Sequence, residues 1–447
     1  MSARYLAYKI LFDIEVNGNY SNMALNKYLN EAGLDDQDKG FVTELVYGII
    51  EKKRYLDYMI NKVSKIKVRK MQHPVKLVLR MGVYQLVYMD GVTDYAAINE
   101  SVNIMKKLDK RSASFVNAVL RNISRNLDEV KDISLNTVDK LAIYYSYEKW
   151  IVENLVKEYG FERTEAILRA LSQKPNIYLR VNRTKLRPGQ SMDYPVGQII
   201  GRLIDQGLEA SRVEGLEEAI KVKGLKSIDK HPLFREGYVS VQDISSILVA
   251  KVMNPKRESR VLDLCAAPGG KSTHIGELME NTGHLISQDI FDHKIKLMNT
   301  YARRLGLNNM EARLGDALVL NDDYIGKFDY VLCDVPCSGM GIVRRKPEIK
   351  YKKEEEVENL PDLQYQILEN ASSYLKEGGI LIYSTCTIFK QENTDVVDRF
   401  LNNHKDFDLD DLGPIKEFLG IGDKGLVKIL PDRYEMDGFF ICRMKKI

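Results

Sequence analysis

The stretch that most constrains the fold is Val261–Lys271, which reads Val-Leu-Asp-Leu-Cys-Ala-Ala-Pro-Gly-Gly-Lys. It begins with a short apolar run of the kind found in parallel strands that are buried on both faces. Small residues, a proline and two glycines follow, and Ser272–Met279 is predicted to form a helix. A strand, a glycine-rich turn and a helix start form the first βα unit of nucleotide-binding folds. The sequence therefore predicts a doubly wound α/β domain around this turn.

The same turn predicts a ligand site. Gly269 and Gly270 let the backbone approach a ligand closely, and the following helix offers free N–H groups to an anion. Lys271 lies in the first helical turn, where the helix dipole disfavours a cation, so we expect it to have a negative partner. The pattern is not G-x-G-x-x-G, which argues against a dinucleotide. Glycine turns also occur in α/β proteins without a nucleotide. Whether this turn binds a ligand therefore has to be inferred from the residues of the neighbouring predicted strands.

Acidic residues at the ends of later predicted strands favour a nucleoside. Asp289 ends the predicted strand Leu285–Ile290 and lies 20 residues after Gly269, a spacing at which an acid receives ribose hydroxyls. Asp316 follows a third strand, where it could accept an adenine amino group, and Asp334 ends a fourth strand. S-adenosylmethionine fits this arrangement because its carboxylate, ribose and adenine need these kinds of contact. We therefore expect S-adenosylmethionine as the cofactor.

Three motifs together resemble the RNA cytosine-5 methyltransferases. They are Asp263–Lys271, Asp334–Gly339 (Asp-Val-Pro-Cys-Ser-Gly) and Tyr383–Thr387 (Tyr-Ser-Thr-Cys-Thr), in the order of that family. Within the RsmB/NOP family the chain resembles the RsmB (Sun/Fmu) branch, which acts on 16S ribosomal RNA. The resemblance implies methyl transfer from S-adenosylmethionine to C5 of a specific cytosine of the position-967 type. The residues that we assign to the cofactor are Cys265, Ala266, Ala267, Pro268, Gly269, Gly270, Lys271, Asp289, Asp316 and Asp334.

Two cysteines at predicted strand ends carry the expected chemistry. Cys337 follows the fourth strand and Cys386 follows the fifth, Ile380–Ser384. A thiolate that adds to C6 of cytosine makes C5 nucleophilic, which is covalent catalysis. The residues alone leave open which thiol attacks, and a structural role is the alternative for either. The resemblance makes Cys386 the nucleophile, and Cys337 assists release.

The resemblance also gives roles to two charged residues beside these cysteines. Asp334 is expected to hold the N3/N4 edge of the cytosine, and Lys271 to orient either the base or Asp334. The remaining cysteines, Cys265, Cys333 and Cys442, lie within or beside apolar strands and are expected to serve packing. The five cysteines show no metal-ligand spacing, so we expect reduced thiols in the cytoplasm and no metal.

Length and composition bound the remaining architecture. The 447 residues suffice for two or three domains, and 44% hydrophobic with 29% charged residues is typical of a globular chain. No apolar stretch is long enough to span a bilayer, and no signal sequence is recognisable. We expect a monomer with three domains: 1–132 helical, 140–232 small α+β, and 233–447 methyltransferase.

The N-terminal domain resembles a NusB-like RNA-binding domain. Apolar residues recur there at helical spacing, and Leu45–Gly48 and Phe115–Arg121 carry the resemblance. We name as the Lys62–Lys76 cluster a set of six cations comprising Lys62, Lys65, Lys67, Arg69, Lys70 and Lys76. No acidic residue interrupts 61–89, so phosphate contact is favoured over a solvated helix face.

Two other functions stay open on the sequence. The catalytic motifs are shared with tRNA cytosine-5 methyltransferases, and only the N-terminal domain argues for 16S rRNA as the partner. A chain of this kind could also be an RNA-binding assembly factor that keeps a nucleoside pocket without turnover. The intact pair Cys337 and Cys386 argues against that alternative.

Overall fold

The computed structural model describes residues 2–185, 190–225, 228–421 and 425–447. The chain forms two compact units. One consists of Met1–Ser172 and Val343–Glu354, and the other of Gln173–Ile342 and Glu355–Ile447. The domain boundaries expected at 132, 140 and 232 stay predictions. Within the described residues, no helix combines the length and apolar character needed to cross a bilayer.

The first unit is helical, as its spacing of apolar residues predicts. Asp35 is the N-cap of the helix Asp36–Val63, since its side chain accepts a hydrogen bond from the Asp38 amide at 2.8 Å. Leu45, Leu56 and Leu77 lie in its core and are inaccessible to solvent. Its helices are α1 (Ala3–Asn17), α2 (Ser21–Glu31), α3 (Asp36–Val63), α4 (His73–Tyr88), α5 (Asp94–Leu108), α6 (Ala113–Arg125), α7 (Leu127–Lys131), α8 (Val138–Tyr144), α9 (Lys149–Tyr159) and α10 (Phe161–Leu171).

A distant segment, Val343–Glu354, completes this helical unit. Lys350 is buried, and its ammonium donates to the Tyr145 carbonyl at 3.2 Å. The Tyr351 hydroxyl donates to the Ile50 carbonyl at 2.6 Å. Burial lowers the pKa of Lys350 to about 7. The segment is therefore an integral part of the helical core.

The second unit contains a small antiparallel sheet and a large mixed one. The small sheet has the order β2-β3-β1-β4. Its elements are β1 (Ile177–Val181), α11 (Asp193–Asp205), β2 (Glu209–Val213), β3 (Leu216–Lys223), α12 (Pro232–Arg235) and β4 (Val239–Val241). Leu179, Val196 and Ile220 form part of the core between this sheet and its helix.

The large sheet has the predicted doubly wound core. Its elements are α13 (Ile244–Met253), β5 (Arg260–Asp263), α14 (Gly270–Leu278), β6 (His284–Asp289), α15 (Asp292–Leu305), β7 (Met310–Leu314), β8 (Phe328–Asp334), α16 (Leu360–Tyr374), β9 (Leu375–Thr385), α17 (Thr394–Asn403), β10 (Phe407–Leu409), α18 (Ile415–Leu419), β11 (Leu426–Ile429) and β12 (Phe439–Lys446). The strand order is β10-β12-β9-β8-β5-β6-β7, with β11 paired to β12. Strands β5 to β9 are parallel, and the order reverses at β5, where such folds bind ligands.

Both faces of this sheet are covered, which explains the apolar strand sequences. Val261 and Leu332 pack in one core, while Leu262 and Val331 pack in the other. Successive side chains of a strand point to opposite faces, so both must be apolar when both faces are buried. The charged residues of β5, β6 and β8 consequently lie at or next to strand ends, and Ser287 is a small buried polar residue within β6.

One strand differs from its expected extent. The fifth strand was expected at Ile380–Ser384, whereas β9 begins at Leu375. Leu375 pairs with Phe328, and the next pair joins Ile380 to Tyr330, so the residues between them form a bulge. Gly378 and Gly379 lie in this bulge.

A buried ion pair joins the small sheet to the first helix of the large one. Arg180 on β1 lies 2.7 Å from Glu277 on α14, and both side chains are at most 1% exposed. The same guanidinium donates to the Gly270 carbonyl at 2.9 Å. The small sheet thereby contacts the start of the helix that follows the glycine turn.

We expect Arg180→Leu to lower the free energy of unfolding by about 3–5 kcal/mol, because it leaves the Glu277 carboxylate buried without its partner. The matched control is Arg212→Leu on β2, whose pair with Asp193 at 2.9 Å is exposed and should cost about 1 kcal/mol or less. Urea denaturation followed by circular dichroism measures both. Equal losses in the two variants would contradict this assignment.

Candidate active site

The loop between β5 and α14 is held by backbone hydrogen bonds to both neighbouring strands. The Leu264 amide donates to the Leu332 carbonyl at 3.1 Å, and the Ala266 amide donates to the Gln288 carbonyl at 2.8 Å. Gly269 has a φ of +101°, a conformation that favours glycine. The sequence-predicted cofactor loop is therefore anchored at the point where the strand order reverses.

Asp289 lies at the end of β6 against this loop and is only 6% exposed. Its carboxylate accepts from the Ala267 amide at 3.3 Å and from the Phe291 amide at 3.2 Å. The Lys294 ammonium lies 3.4 Å away. Asp316 follows β7 and accepts from the Leu318 amide at 2.9 Å. Both acids therefore order the backbone around them.

Exposed apolar side chains accompany both acids. Ile290 and Phe291, which follow Asp289, are 53% and 50% exposed, and Leu318 beside Asp316 is 41% exposed. Ligand sites commonly combine apolar surface with a few well-placed polar groups. These residues fit a ligand that has a flat apolar ring and hydroxyl groups, as a nucleoside has.

Lys271 has the negative partner that its helix position predicts. Its ammonium lies 2.6 Å from Asp334 at the end of β8, and the Ser384 hydroxyl donates to the other Asp334 oxygen at 2.8 Å. Burial alone would lower the pKa of Lys271, but the Asp334 charge and hydrogen bond outweigh burial and raise it. Lys271 is therefore a cation at neutral pH and cannot act as a base there.

The two strand-end cysteines lie side by side. Asp334 is paired with Ser384 in the parallel register of β8 and β9, so the loops beyond these strands emerge together. The sulfur atoms of Cys337 and Cys386 are 3.2 Å apart, and both residues are half-buried. Contact with the Cys386 thiol and burial raise the pKa of Cys337 well above its usual value. Cys337 is therefore a neutral thiol at physiological pH.

The other cysteines have packed environments. Cys333 and Cys442 are buried in an apolar core, and Cys265 packs against it. Burial raises the pKa of each of these thiols. Neutral thiols of this kind are poor nucleophiles, which agrees with the packing role expected for them.

Sequence reasoning missed two buried carboxyl groups. Asp263 at the end of β5 is inaccessible to solvent and accepts from the Ser272 hydroxyl at 2.6 Å. Burial, together with the nearby Asp334 charge, raises the pKa of Asp263 to about 7. The available signal was a carboxylate within an otherwise apolar strand.

The second missed group is Glu392, which ties the two cysteine loops together. It accepts from the Ser338 amide at 2.8 Å and from the Gln364 amide group at 3.0 Å. The Ser338 hydroxyl also contacts the Thr387 hydroxyl at 2.8 Å. Ser338 follows Cys337 and Thr387 follows Cys386, so this network fixes the backbone beside both thiols.

The raised pKa of Asp263 predicts a pH-dependent stability. An unfolded aspartate titrates near pH 4, so the folded state holds an extra proton from about pH 4 to about pH 7. This contribution to stability is complete below about pH 4 and is lost as the pH rises through 7. Asp263→Asn should therefore gain thermal stability relative to the parent between pH 5 and about pH 8, as measured by calorimetry.

A second variant checks the cause of this dependence. The Ser272 hydroxyl lowers the pKa of Asp263, so Ser272→Ala should move the pH window upward. Identical pH dependence of the melting temperature in the parent and in Asp263→Asn would show that Asp263 titrates normally.

Three family models match the chain in succession. Residues 1–125 match the NusB family, residues 147–229 match the RsmF/B-like ferredoxin-like domain, and residues 250–445 match the 16S rRNA methyltransferase RsmB/F model. The expected helical, small α+β and doubly wound α/β parts are thereby confirmed.

Full-length relatives agree with these matches. The chain is 40% identical over 457 residues to the probable ribosomal RNA small subunit methyltransferase B of Bacillus subtilis (strain 168), covering 100% of this chain and 99% of that one. It is 32% identical over 449 residues to ribosomal RNA small subunit methyltransferase B of Shewanella oneidensis, with coverage of 100% and 99%. Among solved structures, PH0851 is similar with a TM-score of 0.79 and 25% identity, covering 100% of this chain and 98% of that one.

The large sheet and its glycine loop place the chain among the α/β methyltransferases. Within that class, the chain belongs to the RsmB/F family of 16S rRNA methyltransferases. The family resemblance inferred from the three motifs is confirmed.

Proposed function

We propose that this chain methylates C5 of a cytosine of the position-967 type in 16S rRNA, with S-adenosylmethionine as donor and Cys386 as nucleophile. The observation that carries the proposal is the 3.2 Å approach of the Cys337 and Cys386 sulfur atoms beside the Lys271–Asp334 pair. A structural role for one thiol would not require a second thiol and an ion pair at the same strand ends.

The loop and strand-end residues fit S-adenosylmethionine. The first turn of α14, beginning at Gly270, offers amide groups to its carboxylate. Asp289 would receive the ribose hydroxyls and Asp316 the adenine amino group, with exposed Phe291 and Leu318 beside them. When bound, this cofactor supplies an electrophilic methyl group. The chain must therefore supply an activated cytosine.

In this proposal Cys386 activates the base by covalent addition. Its thiolate forms a bond to C6, and the ring electron pair moves to C5, which takes the methyl group. The C5 proton then passes to solvent, and its electron pair re-forms the C5–C6 double bond. The bond between Cys386 and C6 breaks, its electron pair returns to sulfur as the thiolate, and Cys337 assists this release. Before attack, the neutral Cys337 thiol can donate a hydrogen bond to the Cys386 sulfur. A hydrogen bond of this kind favours the thiolate form of Cys386.

Asp334 and Lys271 position the base. Asp334 has one oxygen on Lys271 and the other on the Ser384 hydroxyl, so its carboxylate is fixed at the end of β8. A fixed carboxylate can accept a hydrogen bond from the cytosine N4 amino group. The Lys271 ammonium, 2.6 Å away, helps to fix the position of this carboxylate.

Covalent trapping separates the two thiols. We expect Cys386→Ala to form no enzyme–RNA adduct and to lose turnover, because it lacks the attacking thiolate. Cys337→Ala should still add to the base but release it poorly, so that a methylated adduct survives denaturing electrophoresis. The double variant should form none.

The matched control is Cys333→Ala, which removes a buried packing thiol from β8, the strand that leads to Cys337. This variant should keep turnover. Circular dichroism must show that each variant is folded, since emptying a thiol site can cost about 1–2 kcal/mol. Adduct with Cys386→Ala and none with Cys337→Ala would reverse the two roles. Full activity in both would refute covalent catalysis.

Cofactor binding tests Asp289. We expect Asp289→Ala to weaken S-adenosylmethionine binding by about 1–3 kcal/mol, since a charge-assisted hydrogen-bond partner is lost. RNA affinity should change little. The control is Asp292→Ala on α15, whose carboxylate is 68% exposed. Unchanged cofactor affinity of Asp289→Ala in titration calorimetry would refute the ribose assignment.

The substrate is tested with total RNA and methyl-labelled S-adenosylmethionine. Label in 16S rRNA, mapped by bisulfite sequencing, would support the proposal. Label in tRNA would identify a tRNA cytosine-5 methyltransferase, and absence of label would favour an assembly factor without turnover. The NusB match to residues 1–125 supports the 16S rRNA outcome.

A further inference from the structure

We propose that a groove between α5 and α6 of the helical unit binds a single-stranded segment of the RNA substrate, an inference that rests on the proposed function. The groove has a volume of about 620 Å³. We call it the α5–α6 groove. Its polar and aromatic lining includes Tyr95, Asn99, Lys106, Lys110, Arg121 and Arg125.

The sequence builds this groove from one stripe of each helix. Tyr95, Asn99 and Lys106 recur on one side of α5 at helical spacing. The lining residues of α6 recur in the same way, while Val116 and Leu120 of α6 pack into the core of the unit. The polar lining positions thus lie outside the core, whereas Ile98 and Val102 of the lining also pack against it.

The groove carries a local excess of positive charge. Its four cations are all exposed, and they are Lys106, Lys110, Arg121 and Arg125. Among the residues that the structure describes, no carboxylate lines the groove. The nearby Asp94 accepts from the Ser124 hydroxyl at 2.5 Å. Four cations without lining carboxylates attract a polyanion, and their affinity for phosphates comes from release of counterions.

The remaining lining distinguishes nucleic acid from other polyanions. The Tyr95 side chain is 76% exposed, far more than packing would leave, and it offers a flat ring on which a base can stack. Asn99 offers its amide group to base edges or to a 2′-hydroxyl, and Asn117 offers its NH₂ group while its oxygen accepts from Arg121 at 3.1 Å. Stacking on the Tyr95 ring requires an unpaired base, so the geometry points to a single strand.

The Lys62–Lys76 cluster is a weaker candidate in the folded chain. The Lys62 ammonium donates to the carbonyl groups of Glu129 at 2.7 Å and Asp132 at 2.8 Å. The Lys67 ammonium donates to the Asn61 carbonyl at 3.1 Å. Part of that charge is therefore engaged internally. Phosphate contact by this cluster stays a prediction, and the α5–α6 groove has the stronger geometry.

The experiment measures RNA binding by the full chain, without any chemical step. The probes are a fluorescein-labelled 16S rRNA transcript and a single-stranded 12-nucleotide RNA, followed by anisotropy over a range of salt concentrations. The groove variant replaces Lys106, Lys110, Arg121 and Arg125 with glutamine. We expect its affinity for both probes to fall at least about tenfold. The salt slope should become shallower by about 0.7 per lost phosphate contact.

The control variant changes two neighbouring cations that lie outside the groove, with Lys107→Gln and Arg111→Gln. Lys107 lies over the Tyr5 ring at 5.9 Å, and the Arg111 side chain is 98% exposed. This variant should bind both probes as the parent does. A separate pair of variants tests stacking. The RNA affinity of Tyr95→Ala should fall about fivefold or more, and Tyr95→Phe should retain the parental RNA affinity.

The outcomes separate this inference from the proposed function. Parental affinity and salt slope in the folded groove variant would overturn the groove assignment, even if 16S rRNA is methylated normally. Labelled polyglutamate is titrated in the same way as a third probe. If the groove variant loses affinity for polyglutamate but keeps the parental affinity for RNA, the inference is also overturned and the groove is assigned to an acidic protein. A parent that binds neither RNA probe would instead refute the proposed function. Loss of RNA affinity in Tyr95→Ala, with retention of RNA affinity in Tyr95→Phe, would support the inference even if the groove variant with four substitutions misfolds.

Discussion

Burial of a parallel sheet on both faces is the constraint on which the rest of this structure depends. Because side chains of β5, β6, β8 and β9 contact apolar cores on either side, charged groups can be placed only where a strand ends. All parallel strands end at the same edge. One packing requirement therefore places Asp289, Asp334 and the thiols of Cys337 and Cys386 at the same edge of the sheet.

The charges gathered there balance one another. The Lys271 cation faces the Asp334 carboxylate, whereas Asp263 lies close to that carboxylate and has a raised pKa. A second ionised carboxylate in the same dry environment would repel the first. Glu392 accepts a hydrogen bond from the Ser338 amide, and the Ser338 hydroxyl contacts the Thr387 hydroxyl, so these contacts hold the loops that carry Cys337 and Cys386. The groups that hold the two loops are thus different from the thiols that the loops carry.

Sequence patterns predicted the strand ends well because short apolar runs and glycine turns are local signals. They located Asp289, Asp334, Cys337 and Cys386, and the helix dipole argument predicted that Lys271 has an anionic partner. They missed Asp263 and Glu392, whose roles arise only when residues distant in the chain meet. The Lys62–Lys76 cluster shows the same limit, since its neighbours in space include the carbonyl groups of Glu129 and Asp132.

The segment Val343–Glu354 has a consequence for how this chain is made. The helical unit lacks part of its core until these residues, including Lys350 and Tyr351, have left the ribosome. By then the strands β5 to β8 of the other unit have already emerged. The helical unit therefore cannot complete its core before most of the parallel strands of the other unit have emerged, and no single cleavage of the chain yields both units whole.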